Sequence, residues 1–207
     1  MRGTNHILTG LASVVTLDTY LKVITKITDT DVYNHVHDYF AWYRHLDITN
    51  NTEQICVTVL AVILNSVLFL IGCLLPDIDQ EKSTMGKIIH LPVKHRTWTH
   101  TIWAVVLFAA ISCFLPCMTF LTFGYILHIF FDSLSKGGIC WFYPLSQYKT
   151  WTSGAQVKKN HKLYLYRTGE TSETLLTAII VFIGALALTY NILLTAGVTS
   201  ILPFHAG

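Results

Sequence analysis

The chain has 207 residues, 52% of them hydrophobic and only 13% charged, with a formal net charge of +2. Soluble domains carry about 25% charged residues, so this composition points to lipid as the solvent and to one membrane domain, residues 1–207, of several helices. The near-neutral charge, with no basic patch interleaved with aromatics, excludes nucleic acid as the expected partner; it sets no oligomeric state.

The first segment, His6 to Lys26, has helical apolar spacing that includes Asp18 and Lys22. These lie four apart and can pair on one face, so the segment is expected as a helix packed inside the bundle rather than on the membrane surface. No small-residue cleavage pattern follows Ile7 to Leu17, which argues against a cleaved signal peptide. Residues 29–54 read as an acidic insert, with Asp29, Asp31, Asp38, Asp47 and Glu53 against Arg44 alone. Ile55 to Leu75 is uncharged. As a helix it is about 31 Å long, matching a hydrocarbon core of roughly 30 Å.

Thr101 to Phe131 contains no Asp, Glu, Lys or Arg and is too long for one crossing. Pro116 is the natural break, so two helices are predicted near 100–114 and 118–134, both short for full spans. Residues 135–172 form a basic interfacial loop carrying Trp141, Phe142, Tyr143, Tyr148, Trp151, Tyr164 and Tyr166. Such aromatic belts sit where headgroups meet water, and Trp141 and Tyr143 are candidates for substrate contact. Thr174 to Leu202 is a last uncharged span. The fold class is therefore an all-α polytopic bundle of about five helices.

Lys82, Lys87, Lys94 and Arg96 precede the third helix, and Lys136, Lys149, Lys158, Lys159, Lys162 and Arg167 precede the last. If all five helices span, these basic loops share one side, the cytoplasmic one, with the N-terminus. His6, Asp77, Asp79, His95, His100, His128 and Asp132 then all fall at that same face.

Ionisable groups at such positions are costly to desolvate and mark function. His128 and Asp132 are i and i+4, so they project from one helix face. Asp77 and Asp79 follow Pro76 and, in an extended segment, point the same way. His95 and His100 are five apart, wrong for one helix face, so a loop precedes His100. Thr97 or Thr99 is then the expected N-cap, with His100 in the first helical turn, where the dipole disfavours its protonated form. Plainer readings exist for each piece: a histidine hydrogen-bonded to a buried carboxylate, or two solvated acids at a helix end. Taken together, His6, Asp77, Asp79, His95, His100, His128 and Asp132 form a candidate ligand set for one or more divalent ions. Zn²⁺ is the first expectation, and Mn²⁺ or Fe²⁺ also suits mixed His and carboxylate ligands. Asp79, Arg96 and Glu173 are the candidates for catalytic work, Arg96 together with Lys94 as phosphate binders.

The motifs in order resemble the YdjM-like family of LexA-regulated, membrane-bound metal-dependent hydrolases. They are His6, Pro76-Asp77-Ile78-Asp79, His95 to His100, His128 to Asp132, Gly138 with Tyr143-Pro144, and Gly169 to Glu173. Thr97 stands where that family's motif has Gly, and Thr101 where it has Ser. The family is also distantly similar to zinc-dependent phospholipases C, a fold-level analogy. The resemblance implies a metal-activated water attacking a phosphoester of a phospholipid or lipid-linked substrate. The rivals are a metal or proton transporter using the same ligands, and a protein whose metal only staples helices.

Overall fold

The computed structural model describes residues 1–28, 30–42, 50–93, 95–145 and 165–195. The elements are helices α1 (Gly3–Thr28), α2 (Val32–Phe40), α3 (Asn51–Leu74), α4 (Ile102–Phe114), α5 (Met118–Ser133) and α6 (Thr171–Thr195). Short 3₁₀ turns cover Leu75–Asp79 and Trp98–His100. Extended pairing among the described residues is limited to a parallel bridge between Ser135 and Tyr166. Lys94, Asp29, Arg44 and Asp47, the segment 146–164 with its lysines and aromatics, and residues 196–207 lie outside the described residues.

The polarity of a water-soluble protein is inverted here. Ile55 and Leu60 of α3 and Phe182 and Leu186 of α6 are well exposed, as are Leu8, Leu11 and Leu17 of α1. The most deeply buried side chains include His6, His100, His128, Asp132 and Glu173. An apolar outside around a polar inside is what lipid as solvent demands. Three segments are long and apolar enough to cross a membrane: Gly3–Lys26, Asn51–Asp79 and Thr171–Leu194. The α4–α5 hairpin breaks at Leu115 to Cys117, as Pro116 predicts. Its helices have 13 and 16 residues. They reach only about 20 and 24 Å, short for full spans as expected, so among the described residues three helices are long enough to cross.

The acidic insert also differs from expectation. Val32, Val36 and Phe40 recur every fourth residue and form α2, a helix where the charge count suggests only loop. His35 and His37 sit on it and belong to neither group of ligand-capable residues.

Packing brings the motif-bearing helix ends together. At the α3–α5 crossing, a Cβ on Gly72 would lie 2.1 Å from the Leu121 carbonyl oxygen, and one on Gly124 would lie 2.4 Å from that of Phe69. Only glycine lets the two backbones approach this closely. On the other side, α1 packs on α6. Asp18 and Lys22 pair at 2.8 Å as expected, and Lys22 Nζ donates to Asn191 Oδ1 at 3.2 Å. Asn191 in turn donates to Thr19 Oγ1 at 2.5 Å, so this polar staple joins α1 to α6. As a result the starts of α1, α4 and α6 and the ends of α3 and α5 share one end of the bundle.

Candidate metal centre

His6 enters from the first turn of α1, Asp77 from the 3₁₀ turn after α3, His100 from just before α4, and His128 and Asp132 from the last turns of α5. Asp77 is 6% exposed and the other four at most 1%. Ligand-capable atoms of Asp77, His100, His128 and Asp132 lie within 4.8 Å of one another. His128 Nε2 is 3.5 Å and His100 Nε2 3.7 Å from Asp77 Oδ1. His100 Nε2 is 3.6 Å from Asp132 Oδ2, and His6 Nε2 is 3.4 Å from Asp132 Oδ1. The His6 and His128 rings stack at 3.6 Å.

The tautomers follow from the partners. His128 Nδ1 lies 2.7 Å from the Cys73 carbonyl oxygen, which only accepts, so Nδ1 carries the proton. Thr99 Oγ1 gives its one proton to Asp79 Oδ2 at 2.6 Å, so it accepts from His100 Nδ1 at 2.9 Å. When neutral, both rings therefore aim Nε2 lone pairs inward. The Nε2 atoms of His6, His100 and His128 have no hydrogen-bond partner, although all are buried. Lone pairs facing carboxylate oxygens repel unless a cation lies between them, and buried polar atoms without partners are rare. Separations of 3.4–3.7 Å exceed a good hydrogen bond. They match the roughly 3.4 Å between neighbouring ligands around a tetrahedral ion with bonds near 2.1 Å. The donor set fits a divalent metal.

Other cations already crowd the carboxylate of Asp132. The Met1 ammonium lies 2.6 Å from Oδ1 and Arg96 Nη2 2.9 Å from Oδ2. Arg96 Nη1 also donates to Ser135 Oγ and the Gly138 carbonyl, both at 3.2 Å. The guanidinium expected to offer a bidentate fork to phosphate is thus turned inward as a clamp on Asp132. Its left-handed backbone (φ 62°) lets the Arg96 N–H reach Asp79 Oδ2 at 3.1 Å. That contact offsets the strain of a non-glycine residue in this region.

Asp79, His95 and His100 form a second group whose ligand-capable atoms meet the same 4.8 Å limit. Here, however, the polar atoms already satisfy one another. Asp79 Oδ1 accepts from His95 Nδ1 at 2.8 Å while Oδ2 takes Thr99 and the Arg96 N–H. Asp79 orients two histidines, and His95, a third exposed, stands on the wall of the opening. The Pro-Asp-Ile-Asp motif is a 3₁₀ turn instead of an extended strand. The two acids therefore serve neighbouring imidazoles, not one shared point. His100 precedes α4, whose N-cap is Thr101, instead of occupying its first turn. Burial, not the helix dipole, is the first cause of its lowered proton affinity.

Glu173 is buried but takes no place in the cluster. Its Oε1 accepts from the Arg2 N–H and Asn5 Nδ2, each at 2.6 Å, and Oε2 from the Gly169 N–H at 2.6 Å. It ties the start of α6 to the start of α1 and so holds His6 in register. Glu173→Ala is expected to lower both the thermal midpoint and metal retention. A role confined to turnover would leave retention intact, so metal content after dialysis separates the two.

A family model described as the YdjM inner membrane protein family matches residues 1–198. The chain belongs to that family. The match runs through every motif of the cluster, from His6 to Glu173. Neither the curated proteins nor the solved structures contain a match. With the three apolar helices, membership of the YdjM family establishes a membrane protein with a buried His/Asp group able to bind a metal ion.

Several parts of this YdjM-family site escape sequence reasoning. The Thr99 hydroxyl, the Cys73 carbonyl and the Met1 ammonium act on it directly. Tyr125 Oη donates to the Thr99 carbonyl and fixes that loop. Tyr166 Oη donates to the Phe131 carbonyl at 2.9 Å beside Asp132; burial pushes this phenol above its ordinary range, so it stays a donor. Trp141 packs against the Tyr125–Ile129–Ile139 core and Tyr143 stacks edge-on against Trp98. Neither is among the residues lining the opening. His90 lies 3.8 Å from Glu81, outside the cluster.

Proposed function

We propose that this protein is a membrane-embedded metal-dependent hydrolase acting on a phosphoester of a phospholipid or lipid-linked substrate. The observation that carries the reading is the inward set of unpartnered imidazole nitrogens facing Asp77 and Asp132 at one end of a lipid-facing bundle. That set lies beneath a cleft of about 630 Å³ lined by Asp77, His95, Arg96, Asp132, Lys136 and Arg167. Its position at one end of the bundle favours hydrolysis over ion transport, whose sites lie near the bilayer midplane. By the charge of the flanking loops, the cleft faces the cytoplasm of a bacterial inner membrane.

His6, Asp77, His100, His128 and Asp132 would hold the ion, with Zn²⁺ the best fit and Mn²⁺ or Fe²⁺ compatible. When bound, such an ion acidifies water and offsets charge on phosphoryl oxygens. Arg96 clamps Asp132 in place. Asp79 holds His95 by Nδ1, which leaves Nε2 on the cleft wall to move a proton. In the overall reaction the water oxygen bonds to phosphorus, the ester P–O bond breaks, and the departing oxygen takes a proton. His95 is the residue placed to shuttle it.

Detergent-purified protein is expected to carry a stoichiometric transition metal by elemental analysis. It should release phosphate or a phosphorylated headgroup from phospholipid in mixed micelles. Chelation should stop this and Zn²⁺ or Mn²⁺ restore it. Undiminished hydrolysis after metal removal would overturn the proposal, as would ion flux into liposomes without turnover of any phosphoester.

A further inference from the structure

We infer that the cleft above the metal cluster is built for a phosphate bearing two negative charges, a terminal phosphomonoester or diphosphate, and that Lys136 and Arg167 select it. The inference narrows the substrate class of the proposed hydrolase and rests on that reading for its chemistry, though not for its binding test.

The argument starts from the backbone. Leu165 N–H donates to the Leu134 carbonyl at 3.0 Å and Lys136 N–H to the Tyr166 carbonyl at 2.9 Å, which pairs Ser135 with Tyr166 in parallel. Side chains alternate across such a pairing. Ser135 and Tyr166 point inward, 0% and 1% exposed. Their successors, Lys136 and Arg167, therefore turn to the opposite side together, and both line the cleft over Asp77 and Asp132.

Two like charges brought to the lining of one cleft repel. Little among the described residues relieves that repulsion. Among the described residues Lys136 has no acidic partner. Arg167 has only Glu170 at 3.0 Å, in a pair more than half exposed on the arginine side, which contributes little. Arg96 and the Met1 ammonium, the other cations of the cleft lining, are already matched by Asp132. Among the described lining residues, Lys136 and Arg167 are thus the two cations left to meet a ligand, Arg167 by giving up its exposed pair with Glu170, and they differ in shape. A phosphodiester carries one negative charge and would leave one of them unanswered, whereas a terminal phosphate carries two and has three oxygens to share between the pair and the cluster below.

The test is calorimetric binding of pyrophosphate, inorganic phosphate and dimethyl phosphate to the Zn²⁺-loaded protein in detergent. Pyrophosphate and phosphate are expected to bind at least about tenfold tighter than dimethyl phosphate, the low end for losing a charge-assisted hydrogen bond. Lys136→Gln and Arg167→Gln should each weaken pyrophosphate by about tenfold, change dimethyl phosphate little, and leave metal content unchanged. Arg167→Lys should recover most of the loss. Both positions are exposed, so the variants should fold. Equal affinity for the diester, or a double variant that keeps pyrophosphate affinity, overturns the inference. Displacement of pyrophosphate by phosphatidic acid in mixed micelles assigns the dianion to a lipid headgroup; its failure assigns it to a water-soluble phosphate, and either sustains the inference. A protein that binds through the pair but cleaves nothing sinks the hydrolase reading alone. One that hydrolyses phosphoesters with the pair removed and its preference for terminal phosphates unchanged sinks this inference alone.

Discussion

Asp132→Asn is expected to strip the protein of its metal while leaving it foldable. The substitution keeps the shape of the side chain and removes its charge. One oxygen of Asp132 answers the Met1 ammonium and faces His6; the other answers Arg96 and faces His100. All of this happens in a region where Asp132 is 1% exposed. Breaking a buried ion pair by removing one partner costs about 3–5 kcal/mol. Metal affinity should fall by more than the roughly 10–100-fold typical of losing an orienting partner alone. Elemental analysis and thermal unfolding, with and without added Zn²⁺, read the two effects separately. Glu81→Gln, an exposed acid on the same end of the molecule, should change neither. Full metal content in the Asp132→Asn variant would show that the ion, if any, is held elsewhere.

The second large effect is expected far from any ligand atom. Gly124→Val places a branched side chain where even a Cβ would meet the Phe69 carbonyl oxygen at 2.4 Å and the Cys73 backbone nitrogen at 2.9 Å. Overpacking of this kind costs about 1–3 kcal/mol, and more where the obstacle is backbone. The helices must separate, and the bond from His128 Nδ1 to the Cys73 carbonyl at 2.7 Å breaks with them. His128 then loses the contact that fixes its tautomer. A drop in thermal midpoint together with weakened metal retention is the expected result. Ile126→Ala, two residues along and facing lipid at 40% exposure, should leave metal retention untouched. Retention unchanged in Gly124→Val would mean that the α3–α5 contact does not position the ligand.

Much of this centre is legible in the chain because its signals are local. The four-residue step from His128 to Asp132 needs only helical periodicity, and their burial follows from the apolar run around them. Asp77, Asp79, His95 and His100 stand out as ionisable groups at the ends of greasy segments. Pro116 marks the hairpin turn. The remainder depends on contacts between distant segments or on backbone atoms, which carry no letter in the sequence. Thr99 sits between two motif histidines and reads only as a helix cap, yet its single hydroxyl proton decides which nitrogen of His100 faces inward. Arg96 looks like a phosphate ligand because nothing local reveals Asp132 waiting beneath it. Glu173 looks catalytic because an acid opening an apolar helix is conspicuous; its three hydrogen-bond donors come from Arg2, Asn5 and Gly169. The convergence of Lys136 and Arg167 on one cleft depends on the bridge of Ser135 to Tyr166, between segments 31 positions apart. Helix α2 is hidden by its acids, although the recurrence of Val32, Val36 and Phe40 is enough to reveal it.

The bond from His128 to a main-chain carbonyl has a corollary for how this protein can drift in evolution. The thiol of Cys73 is irrelevant to the anchoring of the imidazole; any compact side chain at that position presents the same oxygen. Because Cys73 is 1% exposed and its Sγ would lie 2.8 Å from a Cβ on Gly10, selection should hold residue 73 to small side chains without regard to their chemistry and hold Gly72 to glycine alone, so that two neighbours within one helical turn are constrained by size to different degrees.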